Sequence, residues 1–296
     1  MDRPRRSALY LPGSNARAIE KSKELDCDVI IFDIEDAVAP EAKSLARNQI
    51  RDALILHQKT NLFGHKELIL RVNAPNTPWY KDDVLAAAAA KPHAVLLPKV
   101  ESSDQVKRFI EDFGAANGSD DVRVWCMMET PKGILRCEPI ASSSDRLDCF
   151  VMGTSDLTQE LRAHHTTMRL PMLTSLGLCL LAARAFGLGI LDGVNLDLAD
   201  EDRFVSSCVQ GRELGFDGKT LIHPKQIGPC NRVFSPSPSE VERANAIVSA
   251  YAEARAAGRG VVVLDGRLVE ELHVREAQRI IALNSALQSQ SASSAS

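Results

Sequence analysis

Long apolar runs are missing from this 296-residue chain; none approaches the ~20 residues that a membrane-spanning helix requires. Basic clusters and aromatic stacking motifs are missing too, and the net charge is −4, so nucleic acid is not an expected partner. No CxxC pair occurs. The seven cysteines (Cys27, Cys126, Cys137, Cys149, Cys179, Cys208, Cys230) are odd in number and scattered, several in apolar contexts, which fits reduced thiols in a cytosol rather than a disulfide framework. No GxGxxG follows the first apolar run, which counts against a dinucleotide-binding fold. The stretch from Met1 to Arg6 is basic but leads into LYLPGS, too short and too soon broken for a signal peptide. The expectation is a cytoplasmic protein without a membrane partner.

What is present is enough for a large core: 45% hydrophobic and 25% charged residues. Short apolar runs alternate with helical patterns along the chain. The runs predict strands over 7–11, 29–32, 67–72, 94–97, 122–128, 147–152, 189–194 and 217–222. Between them, helices are expected over 16–25, 40–57, 81–90, 102–116, 171–186 and 201–214, with a short one from Pro224. Eight β-then-α units fit a (β/α)8 TIM barrel over residues 1–233 better than an open doubly wound sheet. FSPSPS reads as a linker into a C-terminal helix-hairpin-helix extension over 234–290. Its parts are a helix over 240–257, an Asp265-Gly266 hairpin within 261–269 and a last helix over 274–287. The low-complexity residues 291–296 are expected to be a disordered tail.

A barrel opens its strand C-termini onto one rim, where active sites lie. Read strand by strand, that rim collects Asp33, Glu35 and Asp36, then Arg71 and Asn73, then Lys99, Glu129 and Asp156, and more loosely Asp192, Asn195 and His223. Glu129 and Asp156 each stand at or just past an apolar strand and just before turn chemistry. Two hard oxygen ligands with the rest of a coordination sphere open suit Mg²⁺, although either acid alone would serve equally as a helix cap. Arg71 and Lys99 follow ELIL and AVLLP and would face the mouth, where they suit the carboxylate of a small anionic substrate. His164-His165 are adjacent, so they point apart and read as a solvated loop pair; His223, before Pro224, reads as structural.

Several blocks in order, SALYLPGSNARAIEKS, IIFDIEDAVAPEAKSLAR, LILRVNAP, VLLPKVES, METPKGI, GTSDLT and DGKTLIHPKQI, resemble the citrate lyase β-subunit-like proteins of the HpcH/HpaI aldolase/citrate lyase superfamily. The resemblance runs over about residues 7–282. It implies a Mg²⁺-dependent carbon–carbon lyase acting on a β-hydroxyacyl thioester such as malyl-, citramalyl- or citryl-CoA. It also implies roles. Glu129 and Asp156 would hold the metal, and Arg71 would bind the substrate carboxylate and steady the enolate. Glu35 and Asp36 would line the site and orient Arg71 and metal-bound water, while Arg17 and Lys21 would contact CoA phosphates. Asp265 would be inserted over the active site of a neighbouring subunit in a homotrimer or hexamer.

The chemistry agrees with this inventory. Thioester enolate formation needs fixed positive charge, for which Arg71 is placed, and a mobile acid such as Asp265 to protonate carbon. Other readings stand beside it. Lys99 as a Schiff-base lysine fits less well, because its Pro98-Lys99 context matches the metal-dependent proteins. A pyruvate aldolase would need a His in the first loop, which here reads PGSNAR. A malyl-CoA-type thioesterase, with Asp265 activating water, and a non-catalytic CoA-thioester-binding subunit remain further alternatives. The segment GTSDLTQELRAHHTTMR, and Arg267 and Leu272 in the C-terminal block, depart from the usual signatures and leave the acyl group open.

Overall fold

The structure is a computed structural model and describes residues 3–294. One compact unit spans Arg5–Arg232, and a second takes in the chain from Val233. In the first, eight parallel strands close into a barrel: β1 (Ser7–Pro12), β2 (Val29–Asp33), β3 (Glu67–Arg71), β4 (Ala94–Leu97), β5 (Arg123–Met128), β6 (Leu147–Met152), β7 (Gly189–Asp192) and β8 (Gly218–Leu221). Pairing of β1 with β8 completes the ring. All eight strands expected from the sequence are present, with ends within two residues of expectation. They were legible because strands buried on both faces read as continuous apolar runs.

Alternate residues of each strand point inward and fill the barrel. Ala8, Val29, Ile31, Ile69, Ala94, Leu96, Trp125, Met127, Cys149, Val151 and Leu191 form that buried stack, with Tyr10 packed against it. Arg5 plugs the N-terminal end: its guanidinium lies 4.8 Å from the Trp125 ring and is held by both oxygens of Glu67 at 2.7 and 2.8 Å. The barrel is therefore a packed core with one open chemical end.

Local signals set the helices around it. Asn15 caps Ala16–Ser22, and Ser102 with Gln105 forms a full capping box on Ser103–Ala115. The expected helix at 40–57 begins as a single tight turn, Pro40–Ala42, and continues as Lys43–Thr60. Among the described residues no helix is long and apolar enough to cross a membrane.

The second unit contains helices Pro238–Ala256 and Glu271–Ser294, joined by the antiparallel pair β9 (Val262–Leu264) and β10 (Arg267–Val269). Asp265 and Gly266 form the tip with φ of 49° and 73°, the left-handed pair that an Asp-Gly two-residue hairpin adopts. The expected linker is shorter than its composition suggests, since Ser237 already caps the helix at Pro238 through a capping box with Glu240. The last helix extends to Ser294, through residues that composition marks as a disordered tail; Ala295 and Ser296 lie outside the described residues.

Candidate active site

The site continues the inward-facing stack by one step. Asp33 is two residues past Ile31, Arg71 two past Ile69, Glu129 two past Met127 and Gly153 two past Val151. Period-two geometry therefore brings Asp33 and Arg71, on the adjacent strands β2 and β3, and Glu129 and Gly153, just past the ends of the adjacent strands β5 and β6, to the mouth. Asp33 and Arg71 are register partners. Both Asp33 oxygens accept from Arg71, from Nε at 2.8 Å and Nη2 at 2.6 Å. Asp33 also accepts the backbone N–H groups of Glu35 and Ala37, which turns the chain sharply after β2.

That turn presents Glu35 to two cations. Its Oε2 lies 2.9 Å from Arg71 Nη1, and its Oε1 accepts from Lys99 Nζ at 3.0 Å. Burial raises the Glu35 pKa above the ordinary value, and the neighbouring Asp36 charge adds to the rise against the pull of Arg71 and Lys99. Asp36 stays exposed at the rim, 4.0 Å from Arg71 Nη1 and 3.9 Å from Lys99 Nζ. Lys99 adopts a left-handed backbone, φ 50°, and its N–H donates to Glu129 Oε1 at 2.8 Å.

Beneath these groups lies a floor. The Arg71 guanidinium sits 4.9 Å above the Tyr10 ring, and the Tyr10 hydroxyl donates to Met127 Sδ at 3.2 Å. From outside the barrel, Lys43 donates to the carbonyls of Ile34 and Glu35, both at 2.7 Å, and to Asn73 Oδ1 at 3.0 Å. Its buried ammonium clamps the acidic turn from behind, and burial lowers its pKa. Asp33 already stood on the rim read from the sequence, but its place as the main partner of Arg71 was not legible, and neither Tyr10 as the platform nor Lys43 as the clamp was legible as a site residue.

Glu129 is 1% exposed, and its Oε2 has no hydrogen-bond donor. Asp156, in the first turn of the helix Thr154–Glu160, lies against it. Burial first, then the Glu35 charge and the Asp156 carboxylate, raise the Glu129 pKa to about 8 against the opposing pull of Arg71. Gly153 leaves room for this carboxylate: a Cβ there would stand 2.3 Å from Glu129 Cβ and 2.5 Å from its Oε2. Two apposed acids and an orphaned buried oxygen call for a proton or a cation. A divalent ion of the Mg²⁺ type, which takes one or two carboxylates and fills its sphere with other oxygens, fits the donor set.

The other sequence candidates fall in different places. Arg17 and Lys21 are exposed on the helix that leaves β1 at its mouth end. Asp265 is exposed at the hairpin tip of the second unit. Asp192 is fully buried between Lys219 Nζ and Arg169 Nη1, both at 2.7 Å, a closed ion-pair group. His223 caps the turn Pro224–Gln226 through Nδ1, and His164 and His165 are exposed on a loop, in line with their structural readings.

Known proteins resemble this chain along nearly its whole length. A (3S)-malyl-CoA thioesterase of Cereibacter sphaeroides is 47% identical over 279 residues, covering 94% of each chain. The citrate lyase subunit beta of Escherichia coli is 33% identical, over 90% of this chain and 89% of its own. The crystal structure of CitE from Mycobacterium tuberculosis in complex with magnesium, acetoacetate and coenzyme A superposes with a TM-score of 0.72 at 26% identity, covering 93% of this chain and 96% of that one. The sequence profile of HpcH/HpaI aldolase/citrate lyase matches residues 6–224, and the chain belongs to that family.

Proposed function

We propose that this protein hydrolyses the thioester of a malyl-CoA-type substrate, a CoA ester of a β-hydroxy dicarboxylic acid, with Mg²⁺ held by Glu129 and Asp156. The observation that carries this reading is the 47% identity, end to end, with a (3S)-malyl-CoA thioesterase. The magnesium and coenzyme A of the CitE complex support the cofactor and the thioester class. A bound Mg²⁺ supplies a template and Lewis acid for the carboxylate and hydroxyl oxygens of such a substrate.

The chain's own residues do the rest. Arg71, fixed by Asp33, and Lys99 put positive charge where a substrate carboxylate or a developing oxyanion would lie. Substrate entry would replace Glu35 on Arg71 Nη1, the edge that Asp33 does not occupy. Arg17 and Lys21 would hold the CoA phosphates. Asp265, contributed by a neighbouring subunit of a homotrimer or hexamer, would take a proton from water. The water oxygen bonds to the thioester carbon, the carbon–sulfur bond breaks, and the departing sulfur takes up a proton to give the CoA thiol.

A second reading is carbon–carbon cleavage to an acyl-CoA and a 2-oxo acid, favoured by the match to citrate lyase subunit beta. One experiment separates the two. Malyl-, citramalyl- and citryl-CoA are incubated with the protein, with EDTA and then with Mg²⁺ restored, and free thiol and 2-oxo acid are followed separately. Free thiol without 2-oxo acid is the expected result. A 2-oxo acid with the acyl-CoA intact replaces hydrolysis by cleavage, and no product from any of the three overturns the CoA-thioester reading.

A further inference from the structure

The helix Lys43–Thr60 begins with a lysine, and that placement is costly on two counts. A cation in the first turn of a helix stands against the helix dipole, and the Lys43 side chain is buried. Three acceptors and an aromatic face offset the cost. The ammonium bonds the carbonyls of Ile34 and Glu35 and Asn73 Oδ1, and it lies 4.9 Å from the centre of the Trp79 ring.

Asn73 carries the connection on. Its Oδ1 faces the ammonium, while its Nδ2 donates to Asp83 Oδ2 at 2.6 Å and to Ile34 O at 3.3 Å. The backbone N–H of Asn73 donates to the same Asp83 oxygen at 2.9 Å, and Asp83 Oδ1 accepts from Arg47 Nη1 at 2.9 Å. Arg47 stands one turn after Lys43 on the same helix, so Lys43, Asn73, Asp83 and Arg47 close a ring. Asn73 and Asp83 are both buried.

The ring grips the two loops that carry the reactive pair. Asn73 follows Arg71 by two residues, and Ile34 and Glu35 follow Asp33 directly. Ile34 is bonded on both sides: its N–H donates to Arg71 O at 3.0 Å, and its carbonyl accepts from Lys43 and Asn73. Asp33 thus fixes the Arg71 side chain, and the ring fixes the backbone of Glu35. Only the side chain of Glu35 is left to turn away from Arg71 Nη1.

We propose that Lys43, Asn73 and Asp83 are positioning residues, which hold the Glu35 backbone still while its carboxylate yields Arg71 and Lys99 to the carboxylate of the substrate. This rests on the reading of Arg71 and Lys99 as the substrate-carboxylate site. A loose turn would spread Glu35 and Arg71 over several arrangements, and a ligand would bind only the fraction with Nη1 facing the mouth.

The test is calorimetric titration of the full-length protein with malate at saturating MgCl₂, with magnesium affinity measured separately by a fluorescent competitor. Asn73→Ala opens the ring at its amide but leaves both carbonyl bonds of Lys43, whereas Lys43→Met removes the ammonium. Malate affinity is expected to fall about tenfold in Asn73→Ala and further in Lys43→Met, with magnesium affinity as in the native chain. Destabilisation alone would move neither affinity in protein that stays folded. Asn73→Ala decides the matter if Lys43→Met does not fold. Native malate affinity in folded Asn73→Ala, or equal losses of malate and magnesium affinity, would overturn the positioning role alone. No malate bound by the native chain would overturn the carboxylate site and the positioning role with it.

Discussion

Asp33 and Arg71 stand directly opposite one another across β2 and β3, and the carboxylate holds the guanidinium in a two-point fork at 2.8 and 2.6 Å. A fork of this kind fixes the plane of the guanidinium as well as its position. Arg71 is therefore aimed by strand register rather than by a flexible loop, and one edge, Nη1, remains directed at Glu35.

Asp33→Asn should loosen that aim while leaving the barrel closed. Removing one partner of a buried ion pair costs about 3 kcal/mol or more. Urea denaturation should show a loss of that order, and kcat/KM should fall at least a hundredfold. An unchanged midpoint would mean that the fork contributes nothing net to the fold.

Metal binding should depend on pH in a definite direction. In the metal-free protein the Glu129 pKa is raised to about 8. Between the ordinary carboxylate value, about 4.5, and 8, the folded state holds a proton that the unfolded chain has released. Stability of the metal-free protein thus falls as pH rises through that window, and a cation replaces the proton. The rise in Tm on adding MgCl₂ should grow from pH 6 to pH 8 and level off above it, and Glu129→Gln should flatten the trend. A magnesium effect that is constant with pH would contradict the assignment of Glu129 as a ligand.

Gly153→Ala tests the same carboxylate sterically. The added methyl meets the Glu129 side chain at 2.3 Å, a distance that forces Glu129 to move. Magnesium affinity should drop by an order of magnitude or more in a folded protein, as read by titration with a fluorescent competitor. Wild-type affinity would show that Glu129 is free to shift without consequence.

Tyr10 separates platform from hydrogen bond. Tyr10→Phe keeps the ring under Arg71 and removes only the contact to Met127 Sδ, so activity should change little. Tyr10→Leu removes the cation–π contact, worth about 1–2 kcal/mol when desolvated, and should lower kcat/KM about tenfold. Equal effects of the two substitutions would assign the role to the hydroxyl.

Asp265→Ala bears on the proposed base. It should leave magnesium binding as in the native chain and slow turnover by at least a hundredfold. Normal turnover would remove Asp265 from the mechanism.

The sequence made the barrel visible because each strand is a short apolar run punctuated by turn residues, and Glu129, Asp156, Arg71 and Lys99 were visible because charge directly after such a run is conspicuous. Partnership was less visible. That Asp33, rather than Glu35 or Asp36, takes both ends of the Arg71 fork depends on which residues of β2 and β3 face each other, a property of two strands together. Lys43 looks like any helical lysine until the acidic turn folds over it. The last helix outran its apolar pattern because serine, alanine and glutamine continue a helix without marking a buried face.

The inward-facing stack separates what this protein can change easily from what it cannot. Arg71, Asp33, Glu129 and Gly153 all occupy wall positions, so moving any one of them disturbs packing layers below it. Some positions in the loops after β6 and β7 lie outside this constraint: His164, His165, Met168 and Leu196 are exposed there. Redirecting the enzyme toward a longer or more branched acyl group is accordingly a problem of loop exchange. A library confined to those exposed positions would sample new specificities with Asp33, Arg71, Glu129, Gly153 and Asp156 unchanged.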